Sequence, residues 1–125
     1  MDALRIEATE KSPLVHFDPV AGVLELRGRS IHENAARFYE DLFQWVEGYA
    51  RQPAGRVEVR IALDYFNSSS AKYLLDILKR LDDLHASGDS KVSMEWTYES
   101  GDLDMQEAGN DFRDLLDMPV KVRPR

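Results

Sequence analysis

The chain has 125 residues, a length typical of one folded domain, and 43% of its residues are hydrophobic while 31% are charged. This composition predicts a globular protein with a buried core and argues against a disordered chain. The formal net charge of -7 disfavours binding to nucleic acid phosphates and to anionic membrane surfaces. The absence of cysteine excludes disulfides and thiolate metal sites, and it suits a reducing compartment.

We expect a single cytoplasmic domain spanning residues 1–125. Residues 1–5 lack the basic start and apolar run of a signal peptide. No later apolar run approaches the roughly 20 residues that are needed to span a bilayer.

The N-terminal part of the chain predicts three strands followed by a helix. Residues 4–8 alternate between apolar and polar side chains, while residues 14–17 and 23–26 flank a turn-forming segment and predict a hairpin. From about residue 33 to residue 50, apolar side chains recur at spacings of three and four, which indicates one face of an amphipathic helix. The segment Gln52-Pro53-Ala54-Gly55 ends this helix.

The rest of the chain alternates strands and helices. Residues 57–63 predict the clearest strand, and a second helix follows through residues 71–81 and ends at Ser87-Gly88-Asp89. Residues 92–98 predict another strand. The remaining elements are a third helix and a short final strand, marked respectively by Ala108, Phe112, Leu115 and Leu116 and by residues 120–122.

This order of elements predicts an α/β fold, with an N-terminal hairpin followed by a βαβαβ order in one mixed sheet of about five or six strands. Strands separated by helices usually pair in parallel through right-handed crossovers. Because residues 57–63 and 92–98 alternate strictly, one face of the sheet is less apolar than the other. We therefore expect the helices mainly on one face.

The segment Asn67-Ser68-Ser69-Ser70 lies where a strand passes into the second helix. An Asn or Ser side chain at this position usually caps the helix, which is the simplest interpretation. One cap needs only one side chain, however, and Lys72 in the first turn is disfavoured by the helix dipole unless an anion is near. A phosphate on Ser68 or a neighbouring serine would meet the exposed amides, the positive helix end and Lys72.

No other residues predict an enzyme, a cofactor site or a metal site. The histidines, His16, His32 and His85, are not spaced as metal ligands on one helix face. The chain has no glycine-rich phosphate loop and no G-x-S-x-G motif. An acidic run lacks the glycine and terminal Glu of a calcium loop and predicts a solvated face, comprising Asp102, Asp104, Glu107, Asp111 and Asp114.

Residues 63–72 with 74–78, and residues 96–98 with 102–112, closely resemble the SiaC family of bacterial regulatory phosphoproteins, formerly a domain of unknown function. Ile31-His32-Glu33-Asn34 and the segment 104–109 also resemble the family pattern, so the resemblance covers nearly the whole chain. The family is similar in fold to STAS-type anti-sigma-factor antagonists, which implies a STAS-like sheet here. This chain departs from the family pattern at Ser68, where Thr is usual, and at His32, where Pro is usual.

The resemblance implies a partner-switching circuit in signal transduction. A histidine-kinase-like Ser/Thr kinase would phosphorylate the protein, and a PP2C-like phosphatase would restore it. In the family's characterised system, the unmodified form binds and activates a diguanylate cyclase, which links c-di-GMP regulation to biofilm formation. By position, Ser68 would be the phosphoacceptor, with Glu33 and Asn34 as further candidate partner contacts. The surrounding phospho-turn and partner surface would comprise Tyr65, Phe66, Asn67, Ser69, Ser70 and Lys72.

Two functions of other classes stay open at this point. The chain could be a constitutive protein-binding module, whose serines only cap the helix and whose exposed aromatic residues, such as Tyr65, Phe66 or Trp45, dock a partner without modification. A small serine hydrolase has the least support, because no oriented base or nucleophile motif is visible.

Overall fold

The computed structural model describes residues 1–125 and contains one six-stranded sheet and three helices. The predicted order of a hairpin followed by alternating helices and strands is confirmed. No helix is both long and apolar enough to cross a membrane. In chain order the elements are β1 (Leu4–Ile6), β2 (Leu14–Asp18), β3 (Val23–Ser30), α1 (Ala35–Tyr49), β4 (Arg56–Phe66), α2 (Ser68–Ser87), β5 (Lys91–Tyr98), α3 (Leu103–Leu115) and β6 (Val120–Pro124).

The six strands lie side by side in the same order as in the chain. β1, β2 and β3 pair antiparallel, whereas β3, β4, β5 and β6 pair in parallel. The sheet is therefore mixed, as predicted, and its arrangement is consistent with a STAS-like fold. Because β3, β4 and β5 run in the same direction, the three helices that follow them all begin at the same edge of the sheet.

One face of the sheet carries the core and the other is polar. In β4 the buried Val57, Val59, Ile61 and Leu63 alternate with less buried side chains. The core contains 26 residues and includes the apolar faces of all three helices. On the opposite face, polar side chains stand in register across all six strands, namely Arg5, His16, Glu25, Arg60, Glu95 and Lys121.

Some element boundaries differ from the sequence-based predictions. α1 begins at Ala35, because the side chain of Asn34 caps it by accepting a hydrogen bond from the Arg37 amide at 3.2 Å. β4 continues three residues beyond its predicted end, because its last residues still pair with β3. Leu116 has an extended backbone and ends α3, although its side chain stays in the core.

Hydrogen bonds made by side chains of α2 hold the C-terminal end of α3 against that helix. Asp82 of α2 is 8% exposed, and its carboxylate accepts hydrogen bonds from the amides of Asp117 at 3.0 Å and Met118 at 2.8 Å. Lys79 of the same helix donates to the Leu115 carbonyl at 2.6 Å. Hydrogen bonds to charged groups contribute about 1.5–3 kcal/mol each when they are shielded from water. The spacing between the two helices is therefore fixed at the C-terminal end of α3.

Gly109 allows α3 to approach β5 closely. The fully buried Trp96 of β5 donates from its indole nitrogen to the Met105 carbonyl at 2.9 Å. A Cβ atom on Gly109 would lie only 2.7 Å from that indole nitrogen and would overlap the ring. A side chain of any size at this position would push the helix away from the sheet.

We expect Gly109→Ala to lower the free energy of unfolding by about 1–3 kcal/mol, because the added methyl group overpacks the contact with Trp96. Gly48→Ala in α1 is the matched control. There the nearest atom to the new Cβ is the flexible end of Met1, so we expect a gain of about 0.5–1 kcal/mol from helix propensity. Urea denaturation measures both, and equal gains in the two variants would contradict the close approach.

Candidate functional site

A bulge near the end of β4 changes the face of the sheet on which the following side chains lie. Gly28 of β3 pairs with Leu63, but the next β3 residue, Arg29, pairs with Tyr65, so Asp64 has no partner in β3. A bulge of this kind reverses the faces of the residues that follow it. Tyr65 therefore shares the polar face with Arg29 and is 53% exposed.

The bulge also turns Phe66 toward the core side of the sheet. Its ring lies 6.0 Å from the ring of Trp96 and 6.1 Å from that of Phe112, measured between centroids. Phe66 is thus half-buried and anchors the end of β4 beneath α3. The two aromatic residues that precede the serine turn have opposite environments, one exposed and one packed.

Asn67 fixes the start of α2 from two sides. Its backbone amide donates to the Ser30 carbonyl of β3 at 3.0 Å, and its side-chain oxygen accepts from the Ser70 amide at 2.9 Å. Its own carbonyl accepts from Ala71 at 3.0 Å. Asn67 is therefore the helix cap, so none of the three serines has to serve as one.

Ser30, whose carbonyl accepts the hydrogen bond from the Asn67 amide, also contacts α1 through its side chain. Its hydroxyl lies 2.6 Å from the hydroxyl of Tyr39, and both residues are buried. Burial raises the pKa of Tyr39 above its usual value, and the hydrogen bond to Ser30 offsets part of that rise. The turn before α2 thus rests on a buried polar pair between β3 and α1.

The three serines of the turn differ in their exposure. Ser68 and Ser69 are exposed, whereas Ser70 is 0% exposed and its hydroxyl oxygen has no hydrogen-bond partner. An enzyme that modifies the folded protein can reach the first two hydroxyls but not the third. Ser70 instead lies on the core face of α2, four residues before Leu74.

Ser68 lies beside the positive end of a 20-residue helix. Lys72, four residues further along, shares its helix face and forms no ion pair. The Lys72 ammonium instead lies 5.5 Å from the ring centroid of Tyr73. The amides of Ser68 and Ser69 are in the first turn, where no intrahelical acceptor exists. This surrounding favours an added negative charge on Ser68.

Two grooves flank α2. The groove between α1 and α2 has a volume of about 750 Å³, and six of its eleven lining residues are charged. The groove between α2 and α3 has a volume of about 310 Å³ and a mainly apolar lining. Its walls are formed by Phe66, Ala71, Lys72, Leu75, Ala108, Asp111, Phe112 and Leu115. Ser68 precedes Ala71, Lys72 and Leu75 by three, four and seven residues, so its face of α2 opens onto this second groove.

The entry of α1 lies at the same edge of the sheet as the serine turn. Glu33 is exposed and forms an ion pair with Lys11 at 3.2 Å, while Asn34 caps α1 and lines the larger groove. His32 accepts a hydrogen bond from the Asn34 amide at 3.0 Å, and its ring stacks 6.4 Å from that of Phe38. In this chain a hydrogen bond and a stacked ring thus shape the helix entry.

The structure brings together most, but not all, of the residues that the sequence singled out. The segment from Tyr65 to Lys72 runs from the end of β4 through Asn67 into the start of α2, and Glu33 and Asn34 precede α1 at the same edge of the sheet. The expectation that Trp45 and Phe66 are exposed is wrong, because both are half-buried against the core. The Trp45 ring packs 5.3 Å from Phe17 and 4.9 Å from Tyr49, and its nitrogen donates to the Asp2 carbonyl. Among the acidic residues, Asp102 caps α3 by accepting from the Met105 amide at 3.1 Å.

Sequence reasoning missed the α3 wall of the apolar groove. Ala108 and Leu115 follow the ordinary periodicity of a core-facing helix, so nothing in the sequence distinguishes them from buried residues. Leu115 nevertheless remains 50% exposed, at the last residue of α3. Only the packing of α3 beside α2 reveals this surface.

The model of the SiaC family of regulatory phosphoproteins matches residues 6–125. The chain belongs to the SiaC family. A solved structure of SiaC from Pseudomonas aeruginosa is 30% identical and matches with a TM-score of 0.90 over 100% of both chains. Another structure, of the diguanylate cyclase SiaD in complex with its activator SiaC from the same organism, matches with a TM-score of 0.91 at 30% identity, covering 98% of this chain and 99% of that one.

A further relative is an uncharacterized protein of Pseudomonas aeruginosa strain UCBPP-PA14. It is 30% identical over 123 residues, which cover 98% of this chain and 97% of the relative. The resemblance found in the sequence is therefore confirmed at the level of family and over nearly the full length.

We expect Asn67→Ala to lower the free energy of unfolding by about 1 kcal/mol, because α2 loses its cap. Ser70→Ala should leave stability unchanged or raise it, since the removed hydroxyl has no partner in the folded protein. Urea denaturation followed by circular dichroism measures both. A loss of similar size in the two variants would contradict the assignment of the cap to Asn67 alone.

Proposed function

We propose that this chain is a non-enzymatic regulator whose phosphorylation on Ser68 controls its binding to a diguanylate cyclase. The observation that carries the proposal is the exposed Ser68 hydroxyl in the first turn of α2, beside an apolar groove. Membership in a family of regulatory phosphoproteins supports it. The complex of the related SiaC with the cyclase SiaD supports the choice of partner.

In this proposal, phosphorylation changes the charge of the partner-binding surface and leaves the folded structure intact. A phosphoryl group adds roughly -1.5 to -2 charges at neutral pH. At a helix N-terminus the folded protein accepts this charge with a favourable contribution of about 1 kcal/mol. A partner that covered the turn would have to remove water from the same charge, and an unpaired buried charge costs several kcal/mol. Binding is therefore lost while the fold persists.

The proposed circuit needs two further enzymes. A histidine-kinase-like Ser/Thr kinase adds the phosphate, and a PP2C-like phosphatase removes it, as the family resemblance implies. Serine retains the hydroxyl of the family's usual threonine, so the chemistry of the transfer is unchanged. In this circuit residues 1–125 act as one cytoplasmic domain. The modified hydroxyl is surrounded by Tyr65, Phe66, Asn67, Ser69 and Lys72, and Glu33 and Asn34 are outlying partner contacts.

A constitutive binding module is the second candidate. The exposed Tyr65 favours it, because a half-exposed aromatic side chain at the end of a strand can dock a partner without any modification. This candidate differs in one measurable respect, since its affinity for the partner would not depend on phosphate.

We expect Ser68→Ala to abolish modification by the kinase of the same cell, while Ser69→Ala is modified as fully as the wild type. Ser69 is the matched control, because it is the other exposed hydroxyl of the turn. Intact-mass spectrometry after incubation with kinase and ATP measures the stoichiometry. If Ser68→Ala is fully phosphorylated and Ser69→Ala is not, the phosphoacceptor is Ser69 and the assignment to Ser68 is wrong.

We expect phosphorylation to reduce affinity for the cyclase by about a hundredfold or more and to change the melting temperature little. Titration calorimetry and thermal unfolding of the wild type, the phosphoprotein and Ser68→Asp measure the two effects. Asp supplies one charge and fewer acceptor oxygens, so its effect should be intermediate. Equal affinities in all three would favour the constitutive module, and unfolding of the phosphoprotein would exclude the surface mechanism.

A further inference from the structure

The groove between α2 and α3 is large enough to hold side chains of a partner protein. Its volume of about 310 Å³ is at the lower end of the range for ligand pockets, so it holds one or two large apolar side chains. Six of its eight lining residues are hydrophobic. Leu115, at 50% exposure, leaves apolar surface in contact with water that a partner could cover.

The groove is held open by contacts at its far end. Lys79 binds the Leu115 carbonyl, and the Asp82 carboxylate binds two amides just beyond α3. Phe66 and Phe112 form an aromatic contact at its base, with centroids 6.1 Å apart. The cavity is therefore a formed feature of the fold that a partner can occupy without first separating the helices.

The groove carries one charge on each rim. Lys72 lies on the α2 side and Asp111 on the α3 side, and neither forms an ion pair. A complementary partner segment would present an acidic side chain toward Lys72 and a basic one toward Asp111. This arrangement also sets the orientation in which such a segment can lie across the groove.

Ser68 lies at the N-terminal end of α2, one helical turn before the groove residue Lys72. Side chains four residues apart on a helix face are neighbours, so a phosphate on Ser68 comes within reach of the Lys72 ammonium. The phosphate and an acidic side chain of a partner would then compete for the same cation. The larger α1–α2 groove lacks this link, because its α2 wall begins at Tyr73 and follows the face of Ser69.

We propose that the α2–α3 groove receives an apolar side chain of the diguanylate cyclase, next to an acidic side chain that pairs with Lys72, and that phosphate on Ser68 displaces this segment by taking Lys72. The inference rests on the proposed function for the identity of the partner. It goes further in naming the surface, the chemistry of the bound segment and the residue through which the phosphate acts.

The first test fills the groove. Ala108→Leu places a larger side chain in the α3 wall, and Ala71→Leu does the same from α2. Ala86→Leu is the matched control, because Ala86 is an exposed residue of α2 outside the groove. With a purified diguanylate cyclase of the same cell as the probe, we expect each groove variant to lose about tenfold or more in affinity and the control to bind as the wild type does.

The second test removes the cation. We expect Lys72→Gln to weaken cyclase binding by about threefold, the size typical of a partly exposed charge pair, while the exposed Lys91→Gln has no effect. In protein carrying phosphoserine at position 68, phosphorus NMR follows the second ionisation of the phosphate without any partner. The phosphate pKa should be higher in Lys72→Gln than in the wild type, because the neighbouring ammonium favours the dianion.

The outcomes separate this inference from the function on which it rests. If the wild type does not bind the cyclase, the proposed function fails and the named occupant fails with it. If the wild type binds and both groove variants bind equally well, the docking surface is wrong while the function stands. Identical phosphate titrations with and without Lys72 would overturn the competition for the cation. Thermal unfolding of each variant verifies that it folds. If one groove variant does not fold, the variant on the opposite helix still tests the docking surface.

Discussion

Asn67 is hydrogen-bonded on two sides, through its amide to Ser30 in the sheet and through its side chain to the Ser70 amide in the helix. These bonds make the chain leave the sheet and enter α2 within a single residue. The orientation of the next residues follows from helical geometry, so Ser68 faces the solvent and Ser70 faces the core. The exposed Ser68 is thereby held at the start of a helix and not in a loop.

The electrostatics of this turn run against the overall charge of the chain. The net charge is -7, yet Lys72 occupies the first turn of α2, where the helix dipole disfavours a cation by a few tenths of a kcal/mol. The contact with the Tyr73 ring offsets part of this cost. A phosphate on Ser68, one helical turn before Lys72, would reverse the sign of the effect, because the phosphate and the face of the Tyr73 ring would both attract the ammonium. The start of α2 therefore offers a favourable electrostatic environment for an added anion.

The sequence predicted the features that depend on local pattern. Alternation located β4 and β5, and the position of Asn67 and the serines located the start of α2. The bulge at Asp64 could not be predicted, because it depends on the register between two strands that are far apart in the chain. The partial burial of Trp45 and the exposure of Leu115 likewise arise from tertiary packing. The burial of Ser70 could not be predicted either, because Ser68, Ser69 and Ser70 have the same side chain and differ only in the face of α2 on which they lie.

The departure from the family at His32 affects a different part of the surface from the turn that contains Ser68. His32 binds the Asn34 amide and stacks on Phe38, so it shapes the entry of α1 and the mouth of the α1–α2 groove. None of these residues lines the groove on the Ser68 face of α2. A hydrogen bond and a ring contact constrain the backbone less strictly than a proline ring does. A change at the α1 entry therefore acts on the α1–α2 groove and leaves the lining of the apolar groove beside Ser68 unchanged.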